Sequence, residues 1–215
     1  MNKLKAFATL LKKPDRLKAL LSYGHKGYLA NIGWFTSFDN QQAMDNNGEP
    51  LPWVTYSFID FIKPRLHKNL SIFEFGSGSS TLFYAKYVKR VVSVEHDEAW
   101  YNKIVKNKAK NAEMIFSKLE PGGEYSKKAA ALGELFDMII VDGRDRVNCC
   151  MNSVAALTPG GVIVLDDSER PEYDKARAFL KEAGFKELSF SGISPGLFYL
   201  KATSVFYKTE NCLHI

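Results

Sequence analysis

The run Ser71-Ile72-Phe73-Glu74-Phe75-Gly76-Ser77-Gly78-Ser79-Ser80-Thr81 passes from an apolar strand into a glycine turn, and a helix starts at Leu82. Two glycines let the backbone turn sharply and leave room for a ligand against the main chain, while Ser79 or Ser80 can cap the helix. The next strand, Val91-Val92-Ser93-Val94-Glu95, ends in an acid. An acid about 20 residues after such glycines is placed to accept hydrogen bonds from ribose hydroxyls. The dinucleotide pattern Gly-x-Gly-x-x-Gly needs a third glycine so that a pyrophosphate can approach the helix, and here that position is Thr81. Glu74 stands two residues before the first glycine, which suits a ligand carrying an ammonium group and no phosphate. An amino-acid-bearing nucleoside fits that description.

Outward from this run the chain alternates. Short apolar strands are expected at residues 71–75, 91–94, 114–116, 138–141 and 162–165, separated mostly by helical or loop segments. A helix over 171–183 ends at Gly184, and two strands follow at 186–191 and 203–208 with only a loop between them. The expected fold is therefore α/β: a doubly wound, mainly parallel seven-stranded sheet with a terminal antiparallel strand pair and helices on both faces.

Upstream, Leu4, Phe7, Leu10 and Leu11 recur at helical spacing among Lys3, Lys5, Lys12, Lys13, Arg16 and Lys18. A helix packing on the domain with a solvated basic face is the plainer reading, and a weak membrane-surface contact is the alternative. Residues 24–52 are rich in Gly, Asn, Asp and aromatics without a sustained period and read as a lid-like segment. Pro52 opens a helix that Pro64 stops. Residues 1–52 thus form an N-terminal helical and lid-like segment, and residues 53–215 the main domain, within one globular unit.

A chain of 215 residues with 46% hydrophobic and 25% charged content suits a single globular domain. No apolar run approaches the roughly 18 residues that span a bilayer. The N-terminus lacks the long apolar segment of a secretory signal, so a cytoplasmic location is expected. The three cysteines, with Cys149 and Cys150 adjacent, fit reduced buried thiols better than a disulfide framework or a metal-ligand spacing. The net charge of +5 is spread along the chain, and nucleic acid is not an expected partner.

Together with Phe136-Asp137-Met138-Ile139-Ile140-Val141-Asp142-Gly143 and Leu157-Thr158-Pro159-Gly160-Gly161-Val162-Ile163-Val164-Leu165-Asp166-Asp167, the glycine turn and Glu95 resemble the class I, Rossmann-like S-adenosylmethionine-dependent methyltransferases. The resemblance covers residues 71–167 and, more loosely, the closing strand pair. It implies S-adenosyl-L-methionine as cofactor. Carried over by position, Glu74, Gly76, Ser77, Gly78 and Glu95 are the cofactor-binding candidates, with His96 lining the same site and offering an imidazole as a general base. Asp142 is the other catalytic candidate.

The stretches Val141-Asp142-Gly143-Arg144-Asp145-Arg146 and Leu165-Asp166-Asp167-Ser168 are similar to a narrower set, the metal-assisted O-methyltransferases. That similarity implies Mg2+ held by Asp142, Asp166 and Asp167. The acceptor it implies is a small molecule or sugar, methylated on oxygen. A methyltransferase acting on nucleic acid or protein, and a catalytically silent S-adenosylmethionine-binding protein, are the alternatives. Trp34 and Phe35 are the aromatic candidates for the acceptor pocket, whereas Trp53, at the start of a periodic helix, is expected to pack in the core.

Overall fold

The computed structural model describes residues 9, 11–22 and 26–215. The first turns of the expected basic helix, including Leu4, Phe7 and Leu10, lie outside the described residues, as do Gly24 and His25. The part that is described forms α1 (Pro14–Ser22).

Two short helices, α2 (Tyr28–Asn31) and α3 (Trp34–Asn40), precede α4 (Tyr56–Ile62). The alternating part then runs β1 (Ser71–Phe75), α5 (Ser79–Tyr87), β2 (Arg90–Glu95), α6 (Glu98–Val105), β3 (Ala112–Phe116), α7 (Glu124–Ala131) and β4 (Phe136–Val141). It continues through α8 (Arg146–Ser153), β5 (Leu157–Asp166), α9 (Asp174–Glu182), β6 (Lys186–Gly192) and β7 (Lys201–Tyr207). The seven strands form one sheet in the order β3-β2-β1-β4-β5-β7-β6. β1 to β5 are parallel, and β7 pairs antiparallel with both β5 and β6. The expected doubly wound sheet with its closing antiparallel pair is the one observed.

Strand residues alternate between the two faces, and each face buries its own apolar cluster. Ile72, Met138, Ile140, Val162, Val164 and Val205 pack with Phe58 and Ile62 of α4 on one side. On the other, Phe73, Phe75, Val92, Val94, Ile139 and Leu165 pack with Tyr125 of α7, Cys149 and Cys150 of α8 and Leu180 of α9. Burial on both faces explains why these strands read as continuous apolar runs. Each fully buried large side chain contributes about 1.5–3 kcal/mol of transfer free energy.

The strand order reverses between β1 and β4, so the crevice of the sheet opens at the carboxyl ends of these two strands. The turn after β1 reaches that crevice braced from beneath. Gly78 donates its N–H to Thr81 Oγ1 at 3.2 Å, and Thr81 donates to Glu74 Oε2 at 2.5 Å. Ser93 of β2 donates to the Gly76 carbonyl at 2.6 Å and lies 3.2 Å from the same Glu74 oxygen. Thr81, in the place of a third glycine, is thus the strut between the turn and Glu74. Burial pushes the Glu74 carboxyl up to about 7, and the hydroxyls of Ser80, Thr81 and Ser93 oppose that shift.

The N-terminal segment is fastened to the β6–β7 loop. Trp34 is 8% exposed, stacks on Phe38 at 5.1 Å and donates its indole N–H to the Leu197 carbonyl at 2.7 Å. Trp53 is 45% exposed and donates to the Pro195 carbonyl at 2.8 Å. The expected roles of these tryptophans are exchanged, because α4 begins only at Tyr56 after extended Thr55, which leaves Trp53 off the buried helix face.

Replacing Trp34→Phe keeps an aromatic ring but a smaller one and strands the Leu197 carbonyl, so urea unfolding is expected to show a loss of about 1–3 kcal/mol, against less than about 1 kcal/mol for the half-exposed Trp53→Phe. Equal losses would contradict the assignment of Trp34 to the core. A second expectation follows from Glu74. Its carboxyl is raised from the usual 4.5 to about 7 in the folded chain, so the native state binds the extra proton between these values. The stabilisation is complete below pH 4.5 and is lost as pH rises through 7, at about 1.4 kcal/mol per pH unit. In Glu74→Gln that slope should vanish from the pH dependence of urea midpoints; an unaltered slope would place the proton elsewhere.

Candidate functional site

The site forms where the turns after β1 and β4 touch. Gly76 has φ +94°, and a Cβ there would meet the Asp142 carbonyl oxygen at 3.1 Å and the Gly143 Cα at 3.2 Å. Only glycine combines that backbone with that approach. Gly76 N–H bonds the Val94 carbonyl at 2.9 Å and Asp142 N–H the Phe75 carbonyl at 3.2 Å, so the strand ends are locked in register.

Glu95, at the end of β2, faces a cavity of about 360 Å3 lined by Gly76, Ser77, His96, Asp142 and Gly143 among others. Its Oε1 accepts the N–H groups of His96 and Asp97 at 2.8 and 2.9 Å, while Oε2 accepts from Ser77 Oγ at 2.8 Å. Oε1 is therefore filled, and Oε2 keeps a lone pair for a ligand hydroxyl. His96 places Nδ1 at 2.9 Å from Glu95 Oε1 and sets its ring edge-on to Tyr125, with ring centres 5.9 Å apart. Glu74 lines neither this cavity nor its neighbour; its contacts run down to Thr81 and Ser93, and its buried Oε1 has no partner among the described residues.

A larger cavity, of about 960 Å3, lies beside the first. Met44, Pro50, Trp53, Trp100 and Tyr199 contribute its wall, and Asp142, Asp166 and Lys201 its floor. Gly78 also lines this cavity, under Trp100, whose indole N–H bonds the Ser77 carbonyl at 2.9 Å. Trp34 and Phe35, the expected pocket aromatics, do not line it. The two cavities share Ser77, Asp142 and Asp167.

Asp142 is the hinge of the arrangement. Its Oδ1 accepts from Arg146 Nη2 at 2.9 Å, and Oδ2 has no hydrogen-bond partner among the described residues. Burial pushes its carboxyl well above the usual carboxylate range, Asp166 adds to the shift, and Arg146 opposes it.

The expected Mg2+ at Asp142, Asp166 and Asp167 finds no support among the described residues. Among the described residues no group of acids, histidines or cysteines is disposed to hold a metal ion. The cause is a second set of charges. Lys201 puts Nζ at 2.6 Å from Asp166 Oδ2 and 2.8 Å from Asp167 Oδ1, while Thr203 donates to Asp166 Oδ1 at 2.7 Å. Arg146 and Arg170 hold Asp167 Oδ2 at 3.3 and 2.8 Å. Both oxygens of Asp166 and of Asp167 are thus committed to protein donors or cations. Lys201 carries no motif of its own. The signal for it was topological, since an antiparallel closing strand starts at the edge where its parallel neighbours end.

No protein-family model and no curated protein matches the chain. Solved structures do match in fold. A precorrin-6y C5,15-methyltransferase from Geobacter metallireducens GS-15 aligns at TM-score 0.53 and 17% identity, over 80% of this chain and 97% of its own. A methyltransferase-like protein from Silicibacter pomeroyi DSS-3 aligns at TM-score 0.53 and 23% identity, over 74% and 89%. The N-methyltransferase NodS from Bradyrhizobium japonicum WM9, in complex with S-adenosyl-L-homocysteine, aligns at TM-score 0.51 and 16% identity, over 83% and 100%. The sheet order, the crevice at its switch point and these likenesses agree: the chain has the Rossmann-like fold of the class I S-adenosylmethionine-dependent methyltransferases.

Proposed function

We propose that the chain is an S-adenosylmethionine-dependent methyltransferase that methylates an oxygen of a small molecule or sugar. The observation that carries this reading is the meeting of two cavities at Asp142, which keeps one carboxylate oxygen free of partners among the described residues. Glu95 Oε2 and the positive φ of Gly76 fit the nucleoside part of the cofactor, and a structural neighbour, NodS, holds S-adenosyl-L-homocysteine on the same fold. When bound, the cofactor supplies an electrophilic methyl group on a sulfonium centre.

The residues of the chain do the remaining work. Glu95 binds ribose hydroxyls with an oxygen that Ser77 keeps in place. Trp53 and Tyr199 offer partly exposed ring faces to a sugar or an aromatic acceptor. Asp142 takes the acceptor's hydroxyl proton. Arg146 on Oδ1 fixes the direction of this carboxylate and leaves Oδ2 to accept the proton. Alignment of the acceptor oxygen and removal of its proton are what this transfer requires of the protein.

Calorimetric titration of S-adenosylhomocysteine tests the cofactor side. Glu95→Ala should cost about 1.5–3 kcal/mol, or roughly 10- to 150-fold in Kd, through lost charge-assisted hydrogen bonds. Unchanged affinity would contradict the assignment. For Asp142, release of S-adenosylhomocysteine is followed with a panel of sugars and phenols. Asp142→Asn is expected to lower kcat by about 100- to 10,000-fold while the product's affinity stays within a few fold. Full turnover in that variant would remove Asp142 as the base, and no turnover by the parent with any acceptor would favour a silent binding protein.

A further inference from the structure

The acidic floor of the larger cavity has an unusual construction. Successive residues of a strand point to opposite faces, yet Asp166 and Asp167 both reach Lys201. They do so because Asp167 takes a left-handed backbone, φ +53°, just beyond the end of β5. Aspartate tolerates that conformation better than most residues do. The antiparallel pairing of Asp166 with Thr203 then brings the first residue of β7, Lys201, over the two carboxylates.

Lys201 is 4% exposed, and its ammonium is surrounded by oxygen. Asp166 Oδ2 lies at 2.6 Å, Asp167 Oδ1 at 2.8 Å and the Trp53 carbonyl at 3.1 Å. Asp166 Oδ2 and the Trp53 carbonyl accept hydrogen bonds from the ammonium, and Asp167 Oδ1 meets it as an ion pair. These three oxygens do not match Mg2+, which needs near-octahedral oxygen ligands at about 2.0–2.1 Å. Ion pairs close the floor. Lys201 meets Asp166 and Asp167, and Arg146 and Arg170 meet Asp167, within 2.6–3.3 Å. Removing one partner from such a buried group leaves charge uncompensated, which is far costlier than the paired state.

We propose that the Lys201 ammonium is the resident cation of this floor, seated where a divalent ion would otherwise lie between Asp166 and Asp167. It is a positioning residue. With Arg146 it fixes the acids around Asp142, and through the Trp53 carbonyl it ties them to the wall of the acceptor cavity. The seat itself is independent of the methyl-transfer reading; its service to Asp142 as a base rests on that reading.

Mn2+ serves as the probe, with bound ion measured from the loss of the free-ion electron paramagnetic resonance signal. The parent chain should take up no stoichiometric Mn2+ at 1 mM. Lys201→Ala opens the seat and leaves its acids, and should bind one Mn2+ at least 10-fold more tightly than the parent; adding Asp166→Asn should abolish the gain. Lys201→Met fills the space without charge and should bind no ion. Circular dichroism reports whether each chain folds, and titration with S-adenosylhomocysteine tests the cofactor assignment separately. One equivalent of Mn2+ bound by the parent and lost in Asp166→Asn would overturn the proposal, whether or not the alanine variant folds. So would a Lys201→Ala chain that keeps the parent's circular dichroism yet takes up no Mn2+.

Discussion

The contact between Gly76 and the backbone of Asp142 is the constraint from which the site follows. It exists because β1 and β4 are neighbours at the reversal of strand order, so both chains leave the sheet side by side. A side chain at Gly76 would push the Asp142 carbonyl and Gly143 away. With the two turns in contact, Ser77 and Asp142 become common walls of both cavities, and the acid that ends β4 stands between them. The strut from Gly78 through Thr81 to Glu74 keeps the turn from relaxing, at the cost of burying a carboxyl with one unpartnered oxygen.

The electrostatics of the crevice divide along the same line. On the β2 side, Glu95 is held by main-chain N–H groups and a serine hydroxyl, an arrangement that leaves its charge available to a ligand. On the β5 side, the charges of Asp166 and Asp167 are spent on Lys201, Arg146 and Arg170. Asp142 lies between these regimes, with one oxygen committed to Arg146 and the other without a partner among the described residues. A hydrogen-bonded carboxylate, a carboxylate with one oxygen unpartnered among the described residues and a neutralised floor thus occur in succession along one sheet edge.

Much of this was legible in the residues. The β1 turn, the acid ending β2 and the acid ending β4 follow from period and position, because strand ends at one edge of a parallel sheet converge wherever the helices go. Trp34 and Trp53 exchange their expected places, because periodicity reports which residues are apolar and not where a helix begins. A start at Tyr56 moves Trp53 to the cavity wall, and the indole bond to Leu197 draws Trp34 into the core. The acids Asp142, Asp166 and Asp167 read as metal ligands because their neutralising partner lies 35 residues beyond Asp166 on a strand that runs the other way. Local sequence does not reveal a long-range ion pair. Glu74 was likewise expected in the cofactor cavity, whereas its contacts place it under the turn.

The proposed function divides the crevice at Asp142 into a nucleoside side and an acceptor side. A crystal structure of the chain with S-adenosylhomocysteine is the direct test. The ribose hydroxyls are expected on Glu95 Oε2, the thioether sulfur facing Asp142 and the larger cavity left open beside Trp53 and Tyr199. A product molecule whose adenosine stacks on Trp53 or Tyr199, with Glu95 untouched, would contradict that division.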